Sequence, residues 1–138
     1  MPDKSYAHRP LLDKLGIKPG ARVSLLAVND TAFMADLRDR TPNITLADPL
    51  PESDAVFLSV DGPADMAQMA GLRSAIKPDG AVWIVFRKGR KDFNENDVLR
   101  LGLETGLVDV KVVRFSDTHT ATKFVIRKSE RSAKSKRP

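Results

Sequence analysis

Leu72 to Phe86 reads LRSAIKPDGAVWIVF, and this stretch decides how the chain is read. Its first part completes a helical spacing of Met66, Met69, Ala70, Leu72, Arg73 and Ile76. Pro78 ends that helix, and Asp79-Gly80 predicts a tight turn. Ala81 to Phe86 follows as the longest uninterrupted apolar run in the chain. A short strand with no polar face must be covered on both sides, as strands of a parallel sheet are.

The same alternation extends upstream. Leu11, Leu12 and Leu15 predict a short helix near residues 8–15, with Gly16 at its end and Pro19-Gly20 at the exit. Arg22 to Val28 (RVSLLAV) predicts a first buried strand. Asn29-Asp30-Thr31 can cap a helix carrying Phe33, Met34 and Leu37 to about Arg40. Ile44 to Ala47 predicts a second strand, Asp48 to Glu52 a proline-bearing loop, and Ala55 to Val60 (AVFLSV) a third strand. Pro63 suits the first position of the next helix.

Downstream, Arg87-Lys88-Gly89-Arg90-Lys91 is a basic loop, and Asn94 to Asn96 can cap a helix with Val98, Leu99, Leu101 and Leu103 on its apolar face. Val108, Val110, Val112 and Phe115 fall near alternate positions, predicting a half-buried strand with Lys111 and Arg114 outward. Asp117 to Thr120 predicts a turn, and Lys123 to Ile126 a returning strand. The expected fold is therefore α/β, three-layered and Rossmann-like. A mostly parallel sheet of about six strands ends in a C-terminal antiparallel hairpin. Residues 1–128 form the single domain, and 129–138 a disordered basic tail.

Composition narrows the classes. A chain of 138 residues can bury roughly 70% of its unfolded surface without staples. It has no cysteine, which removes disulfides and thiolate metal sites and suits a reducing, cytoplasmic setting. Met1 to His8 lacks the apolar core of a secretory signal, and no run approaches the ~20 apolar residues of a membrane span. The net charge of +5 points first to nucleic acid. Its distribution argues otherwise. Six basic residues lie from Arg127 onward against the single acid Glu130, which leaves 17 of each sign in the remainder. The tail alone can contact nucleic acid, weakly and without sequence preference, because it has no aromatic residue to stack on bases.

Three segments resemble the class I methyltransferases, the S-adenosylmethionine-dependent Rossmann-like fold. Leu11 to Val28 (LLDKLGIKPGARVSLLAV) is similar to that fold's opening helix, KPG turn and first strand. Leu72 to Phe86 is similar to its helix, KPGG turn and fifth strand, and Glu104 to Arg114 (ETGLVDVKVVR) to a helix end and penultimate strand. The chain also resembles short bacterial proteins of unknown function that keep a reduced form of this scaffold. The resemblance implies a cofactor loop after the first strand, acidic and rich in glycine. Here that strand runs Leu25-Leu26-Ala27-Val28-Asn29-Asp30, and no glycine lies between Gly20 and Gly62. Such a turn should not readily reach positive φ, and its Cβ atoms should crowd a cofactor. The resemblance further implies a helix and strand between Ile44–Asp48 and Asp54–Val56, where the chain has no room for them. No cofactor is therefore expected.

In open α/β sheets, ligands bind beyond the carboxyl ends of the strands. The candidates there are Asn29, Asp30, Asp48 and Asp61. Asp48 could stand in for a ribose-gripping acid. Asp30 and Asp61 could act as paired carboxylates, and both also suit plain helix N-caps. Arg87, Lys88, Arg90 and Lys91 form a candidate anion site for a small anionic ligand, or a solvated loop. Asp92, Asn94 and Asn96 imitate the start of a calcium loop, but Asp97 and Leu103 stand where glycine and glutamate are required, so no metal is expected. His119 reads as a turn residue and Trp83 as core. The expectation is a non-catalytic methyltransferase-like binding or structural module. The alternatives are a small-molecule enzyme using the strand-end cleft and a weak nucleic-acid-associated protein. An outward apolar patch on the last hairpin could support a homodimer.

Overall fold

A computed structural model describes residues 11–46 and 51–130. The elements are α1 (Leu11–Lys14), β1 (Val23–Leu26), α2 (Thr31–Arg40), β2 (Ile44–Leu46), β3 (Ser53–Val60), α3 (Pro63–Met66), β4 (Ile76–Arg87), α4 (Glu95–Leu103), β5 (Val108–Arg114) and β6 (His119–Val125). The six strands form one sheet in the order β2-β1-β3-β4-β6-β5. β2, β1, β3 and β4 run parallel, whereas β6 is antiparallel to β4 and to β5.

Each face of the sheet has its own apolar layer. On one, Leu12, Leu15, Phe33 and Leu37 from α1, α2 and their flanks cover Phe57, Trp83, Val85 and Ala121. On the other, Met66, Met69, Leu72 and Val98 cover Val56, Leu58, Val82, Ile84 and Phe124. Each fully buried side chain of this size contributes about 1.5–3 kcal/mol. α2 begins where Asp30 accepts the Phe33 N–H (2.9 Å) and ends at Thr41, whose hydroxyl donates to the Ala21 carbonyl. α4 begins in a capping box in which Asn94 and Asp97 each accept the other's backbone N–H.

Three expectations need correction. Pro78 to Gly80 do not break the chain between helix and strand. α3 passes into a 3-10 helix over Ala67–Ala75, and β4 then starts at Ile76. Ser53 pairs with Ile76 and Ala55 with Ala81, so the extra residues are taken up as an irregularity inside the β3–β4 ladder. At Gly80 a Cβ would stand 2.9 Å from the Ser53 carbonyl oxygen.

The second correction concerns β5. A register shift falls between Asp109 and Lys111. The bulge reverses the alternation, so Val113 and Phe115 are buried while Val110 and Val112 are exposed. Two apolar side chains do point outward on this edge strand, but the bulge and Lys111 blunt it against pairing with another strand.

Third, the last turn is shorter than expected. The N–H groups of Phe115 and Ser116 both donate to the His119 carbonyl at 3.1 Å, and β6 starts at His119. Four residues assigned to β6 from sequence thereby become seven, and His119 moves from a turn into the sheet.

β6 ends beside Ala81, near the middle of β4. Ser129 and Glu130, the first residues of the expected tail, sit in a helical turn. Glu130 pairs with Arg73 at 2.7 Å. Residues 131–138 lie outside the described residues.

Candidate functional site

A cleft enclosing about 300 Å³ opens at the carboxyl ends of β1, β3 and β4. One wall is the loop Ala27 to Asp30 leaving β1. Ser59 and Val85 form the floor, paired across β3 and β4. Phe115, Thr118 and His119, from the β5–β6 turn, form the far wall. Beneath the floor lies an aromatic layer. Phe33 packs on Phe57 (5.3 Å) and Phe115 (4.8 Å), and Phe57 stacks on Trp83 at 6.2 Å.

Ala27 occupies the left-handed region, with φ +64°, and is exposed at the cleft. The turn after β1 therefore does reach positive φ without a glycine, against expectation. Surrounding structure holds it there at a strain of about 1–2 kcal/mol. The Cβ nevertheless remains in the cleft wall.

Of the residues singled out from sequence, Asn29 and Asp30 line the cleft. One oxygen of Asp30 is committed to capping α2. Asp61 does not line it, and it is not an N-cap either. Gly62 holds that position, and Asp65 reaches back to accept the Asp61 N–H at 2.8 Å. Asp48 lies outside the described residues.

The basic loop divides. Arg90 forms a bidentate pair with Asp92 (3.1 and 2.7 Å) and donates to the Asp61 carbonyl at 2.6 Å. The bond between them raises the Arg90 guanidinium above its ordinary range and lowers the Asp92 carboxyl. Arg90 is thus a brace between the β4–α4 loop and the end of β3. Arg87, Lys88 and Lys91 are exposed and make no ion pair among the described residues. The Lys88 N–H donates to the Thr118 carbonyl (3.0 Å), tying this loop to the cleft's far wall.

Five cleft residues escaped the sequence reading: Ser59, Val85, Phe115, Thr118 and His119. The alternating HTATKFV pattern after the turn was the signal that could have placed His119 in a strand. Its Nδ1 is 2.8 Å from the Thr118 hydroxyl. No group of three or more His, Asp or Glu among the described residues could hold a metal ion. No described helix is long and apolar enough to cross a membrane.

The architecture is a class I methyltransferase-like Rossmann fold. A methyltransferase from Aquifex aeolicus, described as dependent on S-adenosylmethionine (SAM), superposes with a TM-score of 0.65 at 14% identity, covering 85% of this chain and 88% of that one. A TehB-like SAM-dependent methyltransferase from Corynebacterium glutamicum gives 0.56 at 13%, covering 91% and 93%. The pyocyanin biosynthetic protein PhzM gives 0.66 at 12%. The chain spans about half of PhzM (53%) and of the mitomycin 7-O-methyltransferase MmcR (49%). No family model and no curated protein sequence matches the chain.

Proposed function

We propose that this chain is a non-catalytic, methyltransferase-like binding module. Its strand-end cleft no longer takes S-adenosylmethionine and takes a smaller ligand instead. Ala27 carries the reading. A nucleoside cofactor needs bare backbone at the bend after the first strand, and here an alanine presents its Cβ to the cleft. Two further features support it. Only residues 47–52 join β2 to β3, so the chain lacks a helix and strand that would extend the cleft beyond β2. Asp30, the acid nearest the bend, spends one carboxylate oxygen on the Phe33 N–H.

The case against catalysis is also local. The Thr118 hydroxyl and the His119 imidazole are hydrogen-bonded, as a nucleophile and base would be. No carboxylate orients the other ring nitrogen among the described residues, and Thr118 is exposed. The pair therefore serves to shape the turn and to offer polar contacts. Isothermal titration calorimetry with S-adenosylmethionine and S-adenosylhomocysteine tests the reading. No saturable heat is expected below millimolar ligand. Micromolar binding of either compound overturns it.

A further inference from the structure

The cleft has chemically different walls, and this difference says what it would hold. Val85 pairs with Ser59 on one side and Ala121 on the other, and two residues on, Arg87 pairs with His119. Alternation puts Arg87 on the face that Val85 presents to the cleft. Directly opposite residues in an antiparallel pair have Cβ atoms about 4.5–5.5 Å apart. Arg87 is thus the cross-strand neighbour of His119, and His119 lines the cleft together with the apolar Val85 and Phe115.

Arg87 makes no ion pair among the described residues. Asp61 follows Val60, which pairs with Phe86, and so stands beside Arg87 just past the end of β3, yet no ion pair joins the two among the described residues. The nearby Arg90 is already neutralised by Asp92, and its brace to the Asp61 carbonyl keeps the loop in place. Asp30 is on the opposite wall, at the end of β1. Two strand spacings of about 4.8 Å separate β1 from β4, so its charge sits away from the Arg87 end.

We propose that the cleft binds a small organic anion, its carboxylate or phosphate held between Arg87 and His119 and its apolar body lying on Val85 and Phe115. The inference rests on the reading of the cleft as a ligand site. A guanidinium fork gives paired hydrogen bonds to either acid group, and the imidazole adds a donor from the other side. The apolar wall then selects an organic anion over a bare inorganic one.

The test is a titration of the full chain with benzoate, benzamide and inorganic phosphate at constant ionic strength. Trp83, the only tryptophan in the chain, lies under the cleft floor and reports binding by fluorescence. Amide shifts of Thr118 and His119 locate it. Benzoate is expected to saturate in the millimolar range and to bind at least ten-fold more tightly than its neutral isostere benzamide or than phosphate. Arg87→Gln is expected to erase the preference over benzamide, and Lys111→Gln, on the edge strand, to leave it intact. Equal binding of benzoate and benzamide overturns the proposal, as does binding of none of the three probes. Phosphate binding as well as benzoate overturns the part given to the apolar wall. These outcomes are independent of the S-adenosylmethionine titration, whose failure would strike the wider reading alone.

Discussion

Gly102 of α4 lies directly against the ring of Phe124 on β6, so closely that a Cβ at Gly102 would overlap the ring carbons Cζ and Cε1. This contact sets how near the helix sits to the sheet. Phe124 is fully buried and has little room to retreat. Inside an ordinary exposed helix, alanine in place of glycine adds about 1 kcal/mol of stability. Here Gly102→Ala is expected to remove about 1–3 kcal/mol through overpacking. The sign of the change in the urea midpoint decides between the two.

Ala27 carries a side chain in a left-handed backbone conformation. Ala27→Gly is expected to raise stability by about 0.5–1 kcal/mol, because relief of the strain exceeds the extra chain entropy lost on folding. Ala27→Val, being β-branched, should lower it by more than that. A less stable glycine variant in chemical denaturation would contradict this account of the bend.

Thr122 is fully buried, and its hydroxyl has no hydrogen-bond partner among the described residues. An unpaired buried hydroxyl costs about 1–3 kcal/mol. Thr122→Val keeps the shape and the β-branching, so it should stabilise the protein by about 1 kcal/mol. Thermal melts compared at the same pH provide the check.

Asp54 joins three strands at the amino ends of the sheet. Its carboxylate accepts the Arg22 N–H (2.9 Å) and pairs with Lys77 (2.9 Å). Burial pushes this carboxyl up, but the Arg22 hydrogen bond and the Lys77 ammonium outweigh it and hold it below the usual carboxylate range. The folded state therefore favours the charged form. The resulting stability is present above the unfolded carboxylate value of about 3.9 and is lost as pH falls through the lower folded value. Asp54 is 38% exposed, so the pair is worth less than about 1 kcal/mol. Asp54→Asn should be less stable than the parent at pH 7, with the gap narrowing as pH falls below the unfolded carboxylate value of about 3.9. A gap that is constant with pH, measured by denaturant unfolding, would dismiss the carboxylate's charge as the cause.

Much of this architecture was legible in the one-dimensional pattern. Apolar runs such as Val56–Leu58 and Ala81–Phe86 have no polar face, and a strand of that kind can only lie inside a covered sheet. Asp30 before Phe33 and Asn94 before Asp97 announced the starts of α2 and α4, because capping is a short-range hydrogen-bonding rule. The sheet's mixed character followed from the closing hairpin.

The tertiary structure decided what depends on partners distant along the chain. Pro78 to Gly80 read as a turn, but the Ser53 segment draws them into the β3–β4 ladder. Val110 and Val112 read as core by alternation, but a bulge whose position depends on pairing with β6 turns them outward. Above all, Ala27, Ser59 and His119 share a cleft although up to 92 residues separate them in the chain. Local propensity is written residue by residue and can be read that way. Register and juxtaposition are set only when strands compete for one another's hydrogen bonds, and that competition is where this site is made.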